Sequence, residues 1–115
     1  MCYAANTKGT TALLCAIVAA AEKMGVRKEL ENQWSRHGSE FSKKTLARIT
    51  RVTAKAWRFA GEMEEIASTL ESAGFPSGFH LAAHDVYQRI AKFKDTEATI
   101  SLEEVLDALL NPDES

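Results

Sequence analysis

Apolar residues recur along this chain at the spacing of a helix, and nowhere do they alternate as in a half-buried strand. Residues 54–72 are the clearest case. Phe59, Met63, Ile66, Ala67 and Leu70 fall at i, i+4, i+7, i+8 and i+11, on one helical face. Gly74 and Pro76 then end the helix. The same reading gives a first helix over 3–24, stopped by Gly25, and a short charged helix over 27–36 carrying Leu30 and Trp34 and closing near Gly38. A third spans roughly 40–51, capped by Ser39 or Ser42, with Leu46 and Ile49 inward. A fifth runs from Ser77 to about Phe93, with Phe79, Ala83, Val86, Ile90 and Phe93 on one stripe. After a polar linker at 94–99, Ser101 and Glu104 have the spacing of a capping box. They open a last helix with Leu102, Val105, Leu106, Leu109 and Leu110 inward, before a frayed tail at Asn111–Ser115. The expectation is one all-α domain of about six helices packed as sequential hairpins. A chain of 115 residues suits a single domain and buries roughly 65% of its unfolded surface, enough for a core without staples.

The first helix invites two readings. Lys8, the ten-residue apolar run Ala12–Ala21 and its Ala-x-Ala end imitate a secretory leader. The run is too short to span a bilayer, and its pattern continues through Met24 and Val26. A buried helix, apolar all round and central to the domain, is therefore expected. Cys2 and Cys15 lie 13 residues apart on that helix, about 20 Å, too far for a disulfide. Unbridged cysteines suit a reducing, cytoplasmic setting with no membrane attachment.

A net charge of −2 hides a polarity along the chain. Residues 1–58 hold 11 of the 14 Lys and Arg and four of the 16 acids, a net of +7; residues 59–115 carry a net of −9. Lys43, Lys44, Arg48, Arg51, Lys55 and Arg58 occur with no acid between them, and the last five share one face of a continuous helix. Such a stripe suits phosphates of a nucleic acid, a nucleotide or an anionic substrate, or simply solvent. An overall pI near 5.9 argues against a dedicated nucleic-acid binder.

Several chemistries are excluded. No two of the six glycines have the spacing of a dinucleotide-binding turn, and there is no Walker loop, CxxC or G-x-S-x-G. His80 and His84 stand at i, i+4, but no third metal ligand is indicated, so no metal site is expected. Thr7-Lys8-Gly9-Thr10-Thr11 is more suggestive: Thr7 and Thr11 share a face, with an ammonium beside them to close on a carboxylate or phosphate. Gly9 costs a helix about 1 kcal/mol relative to alanine, which points to close approach by a ligand or another helix. Lys55-Ala-Trp-Arg58 followed by Glu62-Met-Glu-Glu-Ile66 sets a lysine at a helix start, one turn before a packed aromatic, where it can reach into a cleft; the alternative is a surface lysine beside a core tryptophan.

Taken together, KGTTALLCAIVAAAEKMGV (8–26), KAWRFAGEMEEIA (55–67) and GFPSGFHLAAHDVYQRIA (74–91) resemble the helical C-terminal domain of NAD(P)-dependent β-hydroxyacid dehydrogenases. The likeness is strongest to the branch described as phosphogluconate dehydrogenase, NAD-binding, C-terminal. It covers roughly residues 1–93, leaving 94–115 as linker, final helix and tail outside it.

The resemblance implies a domain that builds a substrate cleft and a dimer contact, while a separate Rossmann domain holds NAD or NADP. It implies that Thr7, Lys8 and Thr11 hold the anionic group of a hydroxyacid and that Lys55 lines the cleft. The family's catalytic lysine aligns just before Met1. Ala4 stands where the family has an asparagine, and Asn6 is out of register. The chain is therefore expected to carry no catalytic residue, to bind no cofactor alone and to turn over little. The partner is expected to be a second copy or a full-length dehydrogenase. The alternative is a non-catalytic helical dimerisation module.

Overall fold

The computed structural model describes residues 1–96 and 98–113. It is all-α, with no strand among the described residues. The helices are α1 (Cys2–Lys23), α2 (Arg27–Trp34), α3 (Phe41–Arg51), α4 (Ala56–Ser72), α5 (Gly78–Arg89) and α6 (Leu102–Leu110). Short 3-10 turns sit at Arg36–Gly38, Val52–Lys55 and Ala91–Phe93.

Local chemistry sets the helix ends. At the C-terminus of α1, Gly25 has φ +75°, Val26 N–H bonds Ala21 O at 2.9 Å and Gly25 N–H bonds Glu22 O at 3.1 Å. Gly74, with φ +90°, closes α4 through the same pair of bonds, to Leu70 and Glu71. Both are Schellman caps, whose left-handed residue favours glycine. The capping box of α6 is formed: Glu104 N–H donates to Ser101 Oγ at 3.1 Å and Ser101 N–H to Glu104 Oε1 at 3.2 Å. For α3 the cap differs from expectation. Glu40 is the boundary residue, Ser39 Oγ accepts from Phe41 N–H, and Ser42 is buried within the helix.

α4 and α5 form a tight antiparallel hairpin, and α1 packs against α5 and α6. The core joins Cys15 and Val18 of α1, Ile49 of α3, Met63 and Ile66 of α4, Tyr87 of α5, Ile90 just beyond it, and Val105 and Leu106 of α6, all 3% exposed or less. Arg27 ties α1, α2 and α6 through Glu22, Glu31 and Glu103.

Three further expectations are corrected. First, α1 is not buried all round. Ala12, Cys15, Val18 and Ala19 face the core, while Leu13, Ala16, Ile17 and Ala20 form an exposed apolar stripe. Second, Phe79 points outward at 73% exposure, and Tyr87 takes the inward place on α5. Third, Trp57 is not a core residue; it is 42% exposed, with the Lys94 ammonium 4.2 Å above its ring. The basic segment crosses the expected break between the third and fourth helices, where the backbone tightens into a 3-10 turn at Val52–Lys55. Buried Thr53 donates to Thr50 O there. Of the linker at 94–99, Glu97 lies outside the described residues, as do Glu114 and Ser115 of the tail. Asn111 still bonds back to Asp107. No described helix is long and apolar enough to cross a membrane.

Candidate functional site

Thr7, Lys8 and Thr11 of α1 come together with Arg48 and Arg51 of α3 and with Lys55, at the end of the 3-10 turn, around a cavity of about 290 Å3. Phe59 and Tyr87 complete its walls. All four residues singled out in the sequence thus line one cavity. The 3-10 turn matters here, since it carries the basic stripe across the helix junction while keeping Arg48, Arg51 and Lys55 on one wall.

The polar groups are not equivalent. Thr7 Oγ1 donates to Tyr3 O at 3.1 Å and Thr11 Oγ1 to Thr7 O at 2.8 Å, so both hydroxyl protons are held by backbone carbonyls four residues back. Arg48 spans the gap to α1: Nε donates to Thr11 Oγ1 at 2.6 Å and Nη2 to Thr7 O at 2.7 Å. Lys8 Nζ lies 2.5 Å from Glu62 Oε2 and 4.3 Å from the centre of the Phe59 ring. Among the described residues no carboxylate pairs with Arg48, Arg51 or Lys55. The cavity therefore presents cations in excess, which suits an anion.

Tyr87 fixes the floor. Its hydroxyl donates to Lys8 O at 2.5 Å, and its ring meets Phe59 edge-on at 5.7 Å between centroids. Burial, then the nearby Cys15, push the phenol well above its ordinary value, so it remains a donor. Burial likewise pushes the Cys15 thiol up to about 12, which leaves it protonated and unsuited to nucleophilic work.

The two histidines act separately, as packing residues. His80 Nε2 donates to Ala5 O on α1 at 3.1 Å, and His84 Nδ1 to Ala60 O on α4 at 2.7 Å. No group of three or more His, Cys, Asp or Glu suited to a metal exists among the described residues. Gly9 is explained by another helix: a Cβ there would stand 2.8 Å from His80 Nε2.

A second, larger concavity of about 780 Å3 lies between α1 and α5. Small residues such as Ala5, Gly9, Ala16 and Ala83 form much of its lining, Leu13 and Phe79 contribute the large apolar groups, and no Asp, Glu, Lys or Arg lines it.

Sequence reasoning gave Arg48 a place in a basic stripe and Glu62 a place in a segment of interest, but no individual role to either, and none to Tyr87. Arg48 was visible only as one of six basic residues. Its bonds to Thr7 and Thr11 cross 41 and 37 residues of chain, a relation no local spacing encodes.

Scaffold and cavity together define an all-α domain with a cationic, threonine-edged pocket. The chain belongs to the family DUF1932, a domain of unknown function found in NAD(P)-dependent dehydrogenase-like proteins. The match covers residues 21–90, more than half of the chain, and includes Arg48, Arg51, Lys55, Glu62 and Tyr87. No curated protein and no solved structure matches the chain.

Proposed function

We propose that this domain is the substrate-cleft and dimerisation unit of an NAD(P)-dependent β-hydroxyacid dehydrogenase of the 6-phosphogluconate type, in a cytoplasmic setting. The observation that carries the reading is the convergence of Lys8, Arg48, Arg51 and Lys55 with Thr7 and Thr11 on one small cavity. Family membership supports it. Arg51 and Lys55, with no carboxylate partner among the described residues, take the anionic group of the hydroxyacid; Arg48, anchored to α1, sets the shape of that wall. The threonines do not donate to the anion, because their own protons are engaged; Thr7 Oγ1 can accept from the substrate hydroxyl, while Thr11 Oγ1 already accepts from Arg48.

The nicotinamide cofactor of such an enzyme requires a glycine-rich strand–turn–helix. The described residues contain no strand and no such turn, so they do not fit that group, and no step is derived through it. In this reading the domain binds and orients the substrate, and the chemistry belongs to the partner domain.

The α1–α5 groove is the dimer contact. It pairs projecting Leu13 and Phe79 with a floor of small residues, so one face offers both knob and hole, as a two-fold interface needs. Its uncharged lining spares two copies like-charge repulsion. That groove also favours the second reading, a binding module without a substrate, and the cavity separates the two. Titration with 3-hydroxypropionate, a β-hydroxyacid, and with glycolate as a smaller hydroxycarboxylate monoanion, followed by amide chemical shifts, is expected to move residues 7–11 and 48–59. Arg51→Gln and Lys55→Gln are each expected to weaken binding roughly three- to tenfold, the scale of one charge-assisted contact. Silence at the cavity would leave only the module.

A further inference from the structure

The four cations around the cavity are in different states, and Glu62 is responsible. It stands on α4 one turn after Phe59, and its carboxylate meets the Lys8 ammonium at 2.5 Å above that ring. Glu62 is not among the residues that line the cavity, whereas Lys8 is. The carboxylate thus reaches Lys8 from the rim, with its own side chain 36% exposed and that of Lys8 28% exposed. Arg51 and Lys55 have no such partner among the described residues, and Arg48 is held by neutral oxygens only.

We propose that Glu62 is a specificity-determining counter-ion, which neutralises Lys8 and so limits the charge of the anion this cavity accepts. The inference rests on the anion-binding reading above. A ligand entering the cavity meets the positive field of Arg48, Arg51 and Lys55, but on the α1 side it meets a lysine whose charge is already answered. It must share Lys8 with a fixed carboxylate or leave it alone. A second negative charge on the ligand is repelled by Glu62 where it would otherwise be attracted by Lys8. The Coulomb energy grows with the ligand's charge, so the penalty falls hardest on dianions. Phe59 strengthens the arrangement by fixing the ammonium over its ring face, within reach of Glu62.

Removing the carboxylate while keeping the side chain's size should release Lys8 to the ligand. Glu62→Gln is expected to raise the affinity for inorganic phosphate roughly three- to tenfold, discounted from the bare Coulomb value because both partners are partly solvated. Affinity for monoanionic glycolate is expected to rise less. Lys8→Met alone is expected to weaken phosphate binding roughly three- to tenfold, since it leaves the Glu62 carboxylate unanswered beside the cavity. In Lys8→Met/Glu62→Gln the gain is expected to vanish, and that double variant has no unpaired charge, so it also controls for folding.

A merely structural ion pair gives a different pattern: Glu62→Gln lowers the melting temperature and leaves phosphate affinity unchanged or lower. If Glu62→Gln binds phosphate no tighter than the parent while Lys55→Gln still weakens it, the counter-ion role is overturned and the anion site stands. If neither phosphate nor glycolate distinguishes the parent from Lys55→Gln, and Glu62→Gln binds phosphate no tighter, both ideas fall together.

Discussion

A Cβ on residue 9 would stand 2.8 Å from Nε2 of His80, closer than packed atoms approach. The imidazole holds its place by bonding Ala5 O on the same helix as Gly9, and its Nδ1 is buried with no partner. Gly9→Ala therefore gains helix propensity, up to about 1 kcal/mol, but forces a ring out of a bonded position. The net expectation is destabilisation of about 1–2 kcal/mol. Gly61, on α4 with open space around it, is the control: Gly61→Ala should stabilise by about 0.5–1 kcal/mol. Denaturant midpoints of the two variants, moving in opposite directions, check the argument.

The contrast between these glycines shows what was legible in the sequence. Helix identity was, because it depends on local periodicity and on caps such as Gly25, Gly74 and the Ser101–Glu104 box. That Thr7, Lys8, Thr11 and Lys55 carry polar groups able to face an anion was also legible; that they line one cavity came from the fold. Which side chain meets which was not. Phe79 and Tyr87 sit eight residues apart on one helix, and periodicity made the phenylalanine the inward residue. The tyrosine is buried instead, because its hydroxyl finds Lys8 O as an acceptor, while Phe79 rims a groove that the chain itself does not fill. Arg48 teaches the same lesson: its charge is local information, and its partners are not.

Arg48 joins α3 to α1 by two short bonds to Thr11 Oγ1 and Thr7 O. Arg48→Lys keeps the charge but loses the planar fork that reaches both oxygens at once. It is expected to cost about 1–2 kcal/mol, two ordinary hydrogen bonds partly replaced by water. Arg48→Met is expected to cost as much and, in addition, to weaken glycolate binding. Thermal melts and the glycolate titration, run on both variants, separate the structural part from the electrostatic one. Equal glycolate affinity in Lys and Met variants would show that Arg48 serves only as a brace.

Cys15 gives the protein an alkaline limit. Its thiol titrates near 9.0 when exposed and is pushed up to about 12 by burial in the fold. Because the folded value is raised, the contribution to stability is complete below pH 9 and is lost as pH rises towards 12. Over that window the unfolded chain sheds a proton that the folded chain keeps, a slope of up to about 1.4 kcal/mol per pH unit. Tyr87, raised from 10.0 chiefly by its own burial, adds in the same direction at higher pH. Denaturant midpoints at pH 8, 9 and 10 are expected to fall in the parent and to fall less in Cys15→Ala. That variant starts lower because of the small void it leaves. Parallel curves would remove Cys15 as the cause.

The α1–α5 groove makes the last prediction. Leu13 and Phe79 are 59% and 73% exposed beside a floor of alanines and Gly9, and none of the described residues covers them. Burying each in a two-fold contact is worth roughly 1.5–3 kcal/mol, counted once per copy. The parent is expected to sediment as a dimer at micromolar concentration, with a melting temperature that rises with concentration, because association draws on the folded state alone. Leu13→Glu or Phe79→Glu places two carboxylates near the two-fold axis and should give monomers whose melting temperature no longer depends on concentration. Both positions are exposed in the single chain, so the fold itself should survive either change. A parent that stays monomeric at the highest concentration reached would show that this face is not covered by a second copy.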